Sequence, residues 1–399
     1  MHIPDRGQAK PALGVIGGGI GGLAAAIAAA QAGWQVSLWE QASAFGEAGA
    51  GIQLGPNATR RLQHWGVLPS LRACAVEPAA LHVRCASRGV TLGRLPLASR
   101  AQTQYGAPYL TLHRADLHAA LLQHAQQHRV TAHAAAEVSA INPQTGTLRV
   151  HEAEHAAQAL VLADGVWSRL RAQVVDAQPP LPTTHVAYRA LPLQQALPAA
   201  CRTLDVQVWL APQAHVVVYP VRRGEVLNVA VFLEGAEAAS LAPRWQQMAQ
   251  WEALQSRLPT FCAPLRTLLE AAAEAGDGWR QWPVVQRPPL VRAEQMAWAR
   301  VALVGDAAHP MLPYMAQGAG MAIEDAHALG QALAGATSVV EHALAGYAAA
   351  RWRRNARVQA RAQRNARWFH AQGVPAWLRN QAMAWLGARV LDVPWLYRG

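Results

Sequence analysis

Apolar positions in this chain cluster into short unbroken runs, and the most apolar of these are followed by glycine or by an acid next to glycine. Residues 13–16 (LGVI), 160–162 (LVL) and 301–304 (VALV) are apolar at every position, as expected of strands buried on both faces. After the first run come Gly17, Gly19 and Gly22, an alanine-rich segment over 23–32, then Gly33 and a second apolar run ending at Glu40. Strand, glycine turn, helix and strand within about thirty residues make a βαβ unit. A different rhythm covers 204–235, LDVQVWLAPQAHVVVYPVRRGEVLNVAVFLEG, which alternates and turns at Ala211-Pro212 and Arg223-Gly224. It predicts antiparallel strands of a separate sheet lobe. AQPPLP, at 177–182, reads as a crossing between the lobes.

Length supports two lobes sharing an interface, because 399 residues exceed what one compact core usually serves. Residues 12–33 carry no ionisable side chain and match the length of a bilayer crossing. The glycines at one end would break such a helix at its start, and no second long charge-free apolar segment follows. Hydrophobic residues at 52% and charged residues at 15% describe a globular protein.

Net charge of +11 suggests an anionic partner until its distribution is read. Residues 342–399 hold ten arginines against the single acid Asp392, so the basicity belongs to the carboxyl end. There Arg354, Arg357, Arg361 and Arg364 follow helical spacing and could present one basic face to nucleic acid or anionic lipid. The competing reading is a C-terminal helix whose alanine and tryptophan face packs on the body of the protein. Cys74, Cys85, Cys201 and Cys262 show no metal-site spacing, and MHIPDRGQAK has no secretory-signal pattern. A cytoplasmic protein without a transmembrane segment or metal site is expected.

Gly17, Gly19 and Gly22 satisfy G-x-G-x-x-G: a tight turn, a main chain close to a pyrophosphate, and a helix packed on a strand. Glu40, 23 residues beyond Gly17, is placed to accept hydrogen bonds from ribose hydroxyls. Two further segments, ALVLADGVWSRLRAQV with Asp164-Gly165 and RVALVGDAAHPMLPYMAQGAGMAIEDAHALGQAL with Gly305-Asp306, each run from an apolar strand into an acidic turn. With GAGIQLGPNATRRLQHWG (49–66) and LHRADLHAALL (112–122), this set resembles the class A FAD-dependent aromatic hydroxylases with the para-hydroxybenzoate hydroxylase fold. The hydroxylases of salicylate, 3-hydroxybenzoate and 6-hydroxynicotinate are nearest in character.

The resemblance covers about residues 13–349. It implies an α/β protein: a Rossmann-like FAD-binding domain (1–75, 106–180 and 280–350), an inserted antiparallel-sheet substrate domain (76–105 and 181–279) and a basic C-terminal helical tail (351–399). It further implies that FAD accepts hydride from NADH or NADPH, reacts with dioxygen to a flavin hydroperoxide, and transfers oxygen to an activated ring. In the family pattern Asp306 meets the ribityl chain, Arg114 the ribityl and phosphate region, and Asp164 both FAD and the nicotinamide. A helix cap, an ion pair with Asp116 and a turn aspartate are the respective plain alternatives. Gly318 and Gly320 offer bare backbone where a helix start could stabilise negative charge on the flavin.

His215 and Tyr219 are four apart in HVVVYP and so share one strand face. They could polarise or deprotonate a phenol, and the resemblance implies that they line the substrate site, as similar residues do in the 3-hydroxybenzoate and 6-hydroxynicotinate enzymes; the plain alternative is a core pair satisfied by backbone. Gln53 and Tyr314 are further pocket candidates.

The expected function is hydroxylation of a small aromatic acid; the alternatives are a larger quinone-precursor or polyketide ring, or a binding protein acting through the basic tail. A halogenase would need a catalytic lysine, and Lys10, the sole lysine, precedes the first strand. The expected partners are the aromatic substrate, dioxygen and NAD(P)H, without nucleic acid; a homodimer is left open.

Overall fold

A computed structural model describes residues 10–46, 49–235, 247–335 and 339–399; the MHIPDRG segment lies outside the described residues. Its first sheet has six strands in the order Ala297–Trp298, Val301–Leu303, Ala159–Leu162, Ala12–Ile16, Gln35–Trp39 and Thr131–His133. All neighbours pair in parallel except the edge strand Ala297–Trp298. The three apolar runs are therefore central, adjacent and co-directional, which explains their apolarity on both faces. It also sets their carboxyl ends, Gly17, Asp164 and Gly305-Asp306, side by side on one edge, where ligands bind in open parallel sheets.

Alanine dominates the helix Ile20–Gln31 because another helix presses on it. Residues Ala24, Ala25, Ala26 and Ala29 are buried, and the helix Gly318–Ala334 crosses so closely that a Cβ on Gly330 would stand 2.8 Å from the Ala28 Cβ and 3.0 Å from its carbonyl oxygen. Small side chains let the backbones approach.

The second sheet has eight strands: Gln247–Ala249, Trp279–Gln286, Leu181–Ala190, Val226–Glu234, Ala214–Val221, Val206–Ala211, Ala80–Cys85 and Thr91–Pro96. Val216, Val218, Val229 and Val231 pack on Leu265, Leu268, Leu269 and Ala272 of the helix Ala263–Glu274. Strand alternation then turns His215, Val217 and Tyr219 to the opposite face. There Ala187, Ala230 and Phe232 meet Leu312 and Tyr314 of the first lobe and Ala362 and Ala366 of the long helix Val340–Phe369. Turns at 212–213 and 222–224 separate these strands.

The carboxyl-terminal part departs from the sequence reading. Residue 351 is not the start of a separate tail, because one continuous helix, Val340–Phe369, runs through it. Nor do Arg354, Arg357, Arg361 and Arg364 form a free basic face. Arg354 donates to the Glu324 carboxylate through Nε (2.6 Å) and Nη2 (2.8 Å), and Arg357 lies 3.9 Å over the Trp395 ring.

Glu324 and Asp325 are adjacent, buried, and missed by the sequence reading. Asp325 accepts hydrogen bonds from Arg351 Nε (2.8 Å), Asn355 Nδ2 (2.9 Å), the Gly305 amide (3.2 Å) and the His309 ring. Glu324 takes Asn57 Nδ2 (2.7 Å), Arg351 Nη1 (2.8 Å) and both Arg354 donors. Burial alone would raise both carboxyls. For Glu324 the Arg354 hydrogen bonds and Arg351 charge outweigh it, and for Asp325 the His309 and Arg351 charges do, leaving both below the usual range.

Removing one partner from such a network strands a buried charge, so Asp325→Ala or Arg351→Ala should cost about 3–5 kcal/mol. A urea titration reads this as a lower midpoint, and Arg353→Ala on the exposed side of the same helix should stay within about 0.5 kcal/mol. Equal, small effects for all three would contradict this account. Because both carboxyls titrate low in the fold, their stabilisation is present above the unfolded value near 4 and is lost as pH falls below it.

Candidate active site

Glycine is required at two positions of the first turn. Gly17 has φ +103°, and a Cβ there would sit 2.4 Å from the Ala163 carbonyl oxygen; at Gly22 it would sit 1.9 Å from the Gly17 oxygen. Gly19 precedes the helix Ile20–Gln31 with no side-chain cap, so the amides of the first turn keep their donors for a ligand. Glu40, at the end of the second strand, accepts from the Gly18 amide (2.7 Å) and the Ala42 amide (2.8 Å). His118, which the sequence reading passed over, contacts the Gly18 carbonyl through Nε2 at 2.8 Å and fixes the turn from below.

The neighbouring loop carries Asp164 and Gly165. Asp164 Oδ1 is buried without a hydrogen-bond partner, and desolvation pushes the carboxyl up to about 6. Gly165 has φ +83° and open space where a Cβ would be. Arg171, buried in the same segment, donates to the Ala307 carbonyl (2.9 Å) and so joins this loop to the next. In that third loop Asp306 is exposed, with Oδ1 4.0 Å from where a Gly318 Cβ would lie. The helix Gly318–Ala334 also starts without a side-chain cap. Gly320 differs from its expected role: it is buried, and its missing Cβ makes room for Gln317 Oε1 (3.0 Å) and Asn57 Nδ2 (3.5 Å).

Arg114 opens the helix Arg114–Gln127, its amide on the Ala50 carbonyl at 2.7 Å, directly after the strand Leu110–His113. Two uncapped helix starts, bare backbone at Gly165 and Gly318, and an unsatisfied Asp164 oxygen together fit an elongated, anionic, hydroxyl-rich dinucleotide such as FAD.

Across from these loops lies the inward face of the second sheet. Pairing registers place Ala187, Phe232, His215 and Leu210 in one row, then Arg189, Ala230, Val217 and Val208, then Asn228 beside Tyr219. His215 stacks on Phe232 (centroids 4.6 Å, planes 4° apart), with the Tyr314 ring 5.0 Å away. Tyr314 Oη lies 2.6 Å from His185 Nδ1. At the other end Tyr219 packs under Gly51, whose amide donates to Asn228 Oδ1 at 2.9 Å, while Asn228 Nδ2 is buried without a partner. Gln53 accepts from Tyr109 Oη at 2.7 Å, and Tyr109 packs in the same cluster as Tyr219.

The structure therefore joins His215 to Tyr314 and associates Tyr219 with Gln53 through Tyr109. His215 and Tyr219 do not touch. Four residue steps along the strand separate them by about 13 Å, leaving Val217 and Ala230 as a small-residue floor between.

Burial, then the charges of His370 and His185, holds His215 well below the ordinary histidine value, so it is neutral at pH 7. Burial moves the Tyr219 phenol up to about 12 and raises Tyr314 as well. Both stay protonated hydrogen-bond donors. Arg189 was not singled out in the sequence. Its guanidinium lies 4.7 Å over Trp282, its Nε has no hydrogen-bond partner, and among the described residues it forms no ion pair with an acid.

His370, just past the long helix, places Nε2 2.8 Å from His215 Nδ1. No sequence motif flagged it, because its partner is 155 residues away. Donors of His185, Glu234 and His370 lie within 4.8 Å of one another. Tyr314 is hydrogen-bonded at His185 Nδ1 and His215 at His370 Nε2, which leaves His370 Nδ1 facing Glu234 Oε2 at 3.4 Å.

Comparison with known proteins agrees with this geometry. The family model described as FAD binding domain matches residues 10–362. The 3-hydroxybenzoate 6-hydroxylase of Polaromonas naphthalenivorans is 35% identical over 96% of this chain and 94% of its own length. The 6-hydroxynicotinate 3-monooxygenase of Bordetella bronchiseptica is 34% identical over 93% and 95%. In fold, the chain is similar to Klebsiella pneumoniae HpxO solved with FAD and uric acid, with TM-score 0.83, 21% identity, and coverage of 96% and 94%. No helix among the described residues is long and apolar enough to cross a membrane.

Asp164 gives a pH test of the site. Its carboxyl titrates higher in the fold, at about 6, than in the unfolded chain, near 4. The folded state therefore holds the extra proton, and stability of the FAD-free protein should fall as pH rises from about 4 to about 6. Asp164→Asn should flatten that part of the melting-temperature profile. An unchanged slope would place the titration elsewhere.

Proposed function

The chain belongs to the FAD-binding-domain family and is an FAD-dependent aromatic monooxygenase, and from that premise we propose that it hydroxylates a small aromatic acid, consuming NADH or NADPH and dioxygen. The observation that supports this substrate class is the composition of the inward sheet face: a small-residue floor, a neutral histidine and a protonated tyrosine at its ends, and an arginine beside it that no acid among the described residues neutralises. The separation suits one substituted ring. The full-length relatives named for 3-hydroxybenzoate and 6-hydroxynicotinate support the same size and charge.

Bound FAD supplies hydride acceptance from the nicotinamide and activation of dioxygen. The chain's own residues do the rest. Gly17, Gly19 and Gly22 would bring bare backbone to the pyrophosphate and Glu40 would take the ribose hydroxyls of the adenosine half; Arg114, Asp164, Asp306 and Gly318 would hold the phosphate region, ribityl chain and ring, with Gly320 shaping the helix start. Arg189 pairs with the substrate carboxylate, which is the neutralising group its desolvated guanidinium lacks. His215 accepts the phenolic proton and raises ring electron density, while Tyr219 and Gln53 orient the far edge. Phe232 and Tyr314 close the site to water. We place the protein in the cytoplasm, since Cys74, Cys85, Cys201 and Cys262 are all free thiols.

A panel of hydroxybenzoates and hydroxypyridine carboxylic acids, scored for hydroxylated product per NADH or NADPH oxidised, tests this reading; oxidation without hydroxylated product from any member would sink it. Two variants sharpen it. His215→Ala should retain FAD while product per NADH falls, and unchanged coupling would remove His215 from its role. Arg189→Gln should raise KM about 10- to 100-fold for a carboxylated ring and leave an uncharged phenol unaffected, the worth of one charged hydrogen bond.

A further inference from the structure

A base buried from water faces a second problem once it has taken a proton, and the side chains behind His215 address it. The His215 ring is 1% exposed. Its Nδ1 meets His370 Nε2 at 2.8 Å, and His370 Nδ1, buried without a hydrogen-bond partner, faces Glu234 Oε2 at 3.4 Å. The His370 side chain is 2% exposed and that of Glu234 40%, so the line runs from the inside of the site to solvent in three side chains.

We propose that His370 and Glu234 form a proton relay between His215 and bulk water, and that His370 fixes the His215 tautomer that can accept a proton at Nε2. The proposal rests on the reading of His215 as the group that receives the substrate proton. At rest the chain is His215 Nδ1–H to His370 Nε2, and His370 Nδ1–H toward the Glu234 carboxylate. When the substrate O–H bond breaks, a proton joins His215 Nε2 and the Nδ1 proton passes to His370 Nε2. The His370 Nδ1 proton then passes to Glu234, which releases it to water. No imidazole carries lasting charge, and the phenolate electron pair stays on the substrate.

Apart from Glu234, the charges facing the pair add to burial in favouring neutral rings. His185 on Leu181–Ala190 and Arg379 on Gly373–Leu386 add to burial in bringing His370 down to about 3, and Tyr314 remains a neutral phenol beside His185. Glu234, at the exposed end, is the acid that faces the group among the described residues. The parts are also held in register. The His370 carbonyl accepts from the Gln213 amide, in the turn before the His215 strand, and Arg379 Nη1 donates to the Trp368 (2.7 Å) and Phe369 (2.9 Å) carbonyls. His370 and Glu234 are positioning residues, acting only through His215.

The test mixes oxidised holoenzyme with 3-hydroxybenzoate or 6-hydroxynicotinate, whichever is turned over, and follows phenolate absorbance together with proton release to an indicator dye. Glu234→Gln and His370→Gln should keep substrate affinity and FAD content but slow both signals about tenfold or more. Added free imidazole should restore the rate, which a merely structural defect would not allow. Should His370→Gln lose FAD, Glu234→Gln decides alone, because its carboxyl is at the surface. Wild-type rates in Glu234→Gln, or slow rates that imidazole leaves unchanged, overturn the relay. His215→Ala separates the two ideas: if it too ionises substrate at the normal rate, the reading of His215 as proton acceptor fails; if it alone is slow, only the relay fails.

Discussion

The carboxylate of Asp325 is the point on which the two halves of this molecule hang. It is fully buried, and four donors from two segments converge on it: the Gly305 amide and His309 from the loop after the strand Val301–Leu303, and Arg351 and Asn355 from the long helix. A desolvated carboxylate is tolerated only when its lone pairs are filled, so each donor is held as firmly as the charge itself. The loop that presents Asp306 is thereby fixed relative to the helix Val340–Phe369. That helix in turn buries Ala362 and Ala366 against the second sheet and ends beside His370. The Gly305-Asp306 loop and the inward face of the second sheet are thus positioned by one continuous rod.

Such a rod makes sense of the reactive groups at its far end. Hydroxylation asks for a dry site, and at the proposed one His215, Phe232, Tyr314 and Ala366 are buried against one another. Dryness has an electrostatic consequence: the same burial that excludes water depresses His215 and raises Tyr219 and Tyr314. These shifts are not separate adaptations. They follow from placing polar side chains on the inward face of a sheet whose other face is core.

The nucleotide-binding half was legible in the sequence because its signals are local. Gly17, Gly22 and the apolar runs are dictated by backbone geometry within about thirty residues, and strand adjacency follows once the runs are parallel. His215 and Tyr219 were legible as a shared face for the same reason, since alternation is a local rule. Their separation, and the company each keeps, were not. His370, Arg189 and the Glu324–Asp325 network are assembled from residues tens to hundreds of positions apart, and nothing in "AIEDAHAL" marks two of its acids as buried. The arginine spacing over 354–364 misled for a related reason: helical periodicity groups residues on a face without saying what covers that face. Glu324 and Trp395 cover part of it.

One consequence joins the chemistry to the architecture. If the long helix only clamped the lobes, its end could be any apolar residue, and the strand opposite would need no histidine. Instead the chain places an imidazole where the helix stops, bonded to the imidazole on the inward sheet face, with a surface acid behind it. Rigidity and the proposed relay then use the same element: the helix that Asp325 anchors through Arg351 runs on to Phe369, and at that far end His370 keeps its 2.8 Å contact with His215. A looser connection would leave each ring with a choice of partners and tautomers, and a buried base with an undefined tautomer does not present its lone pair to the substrate.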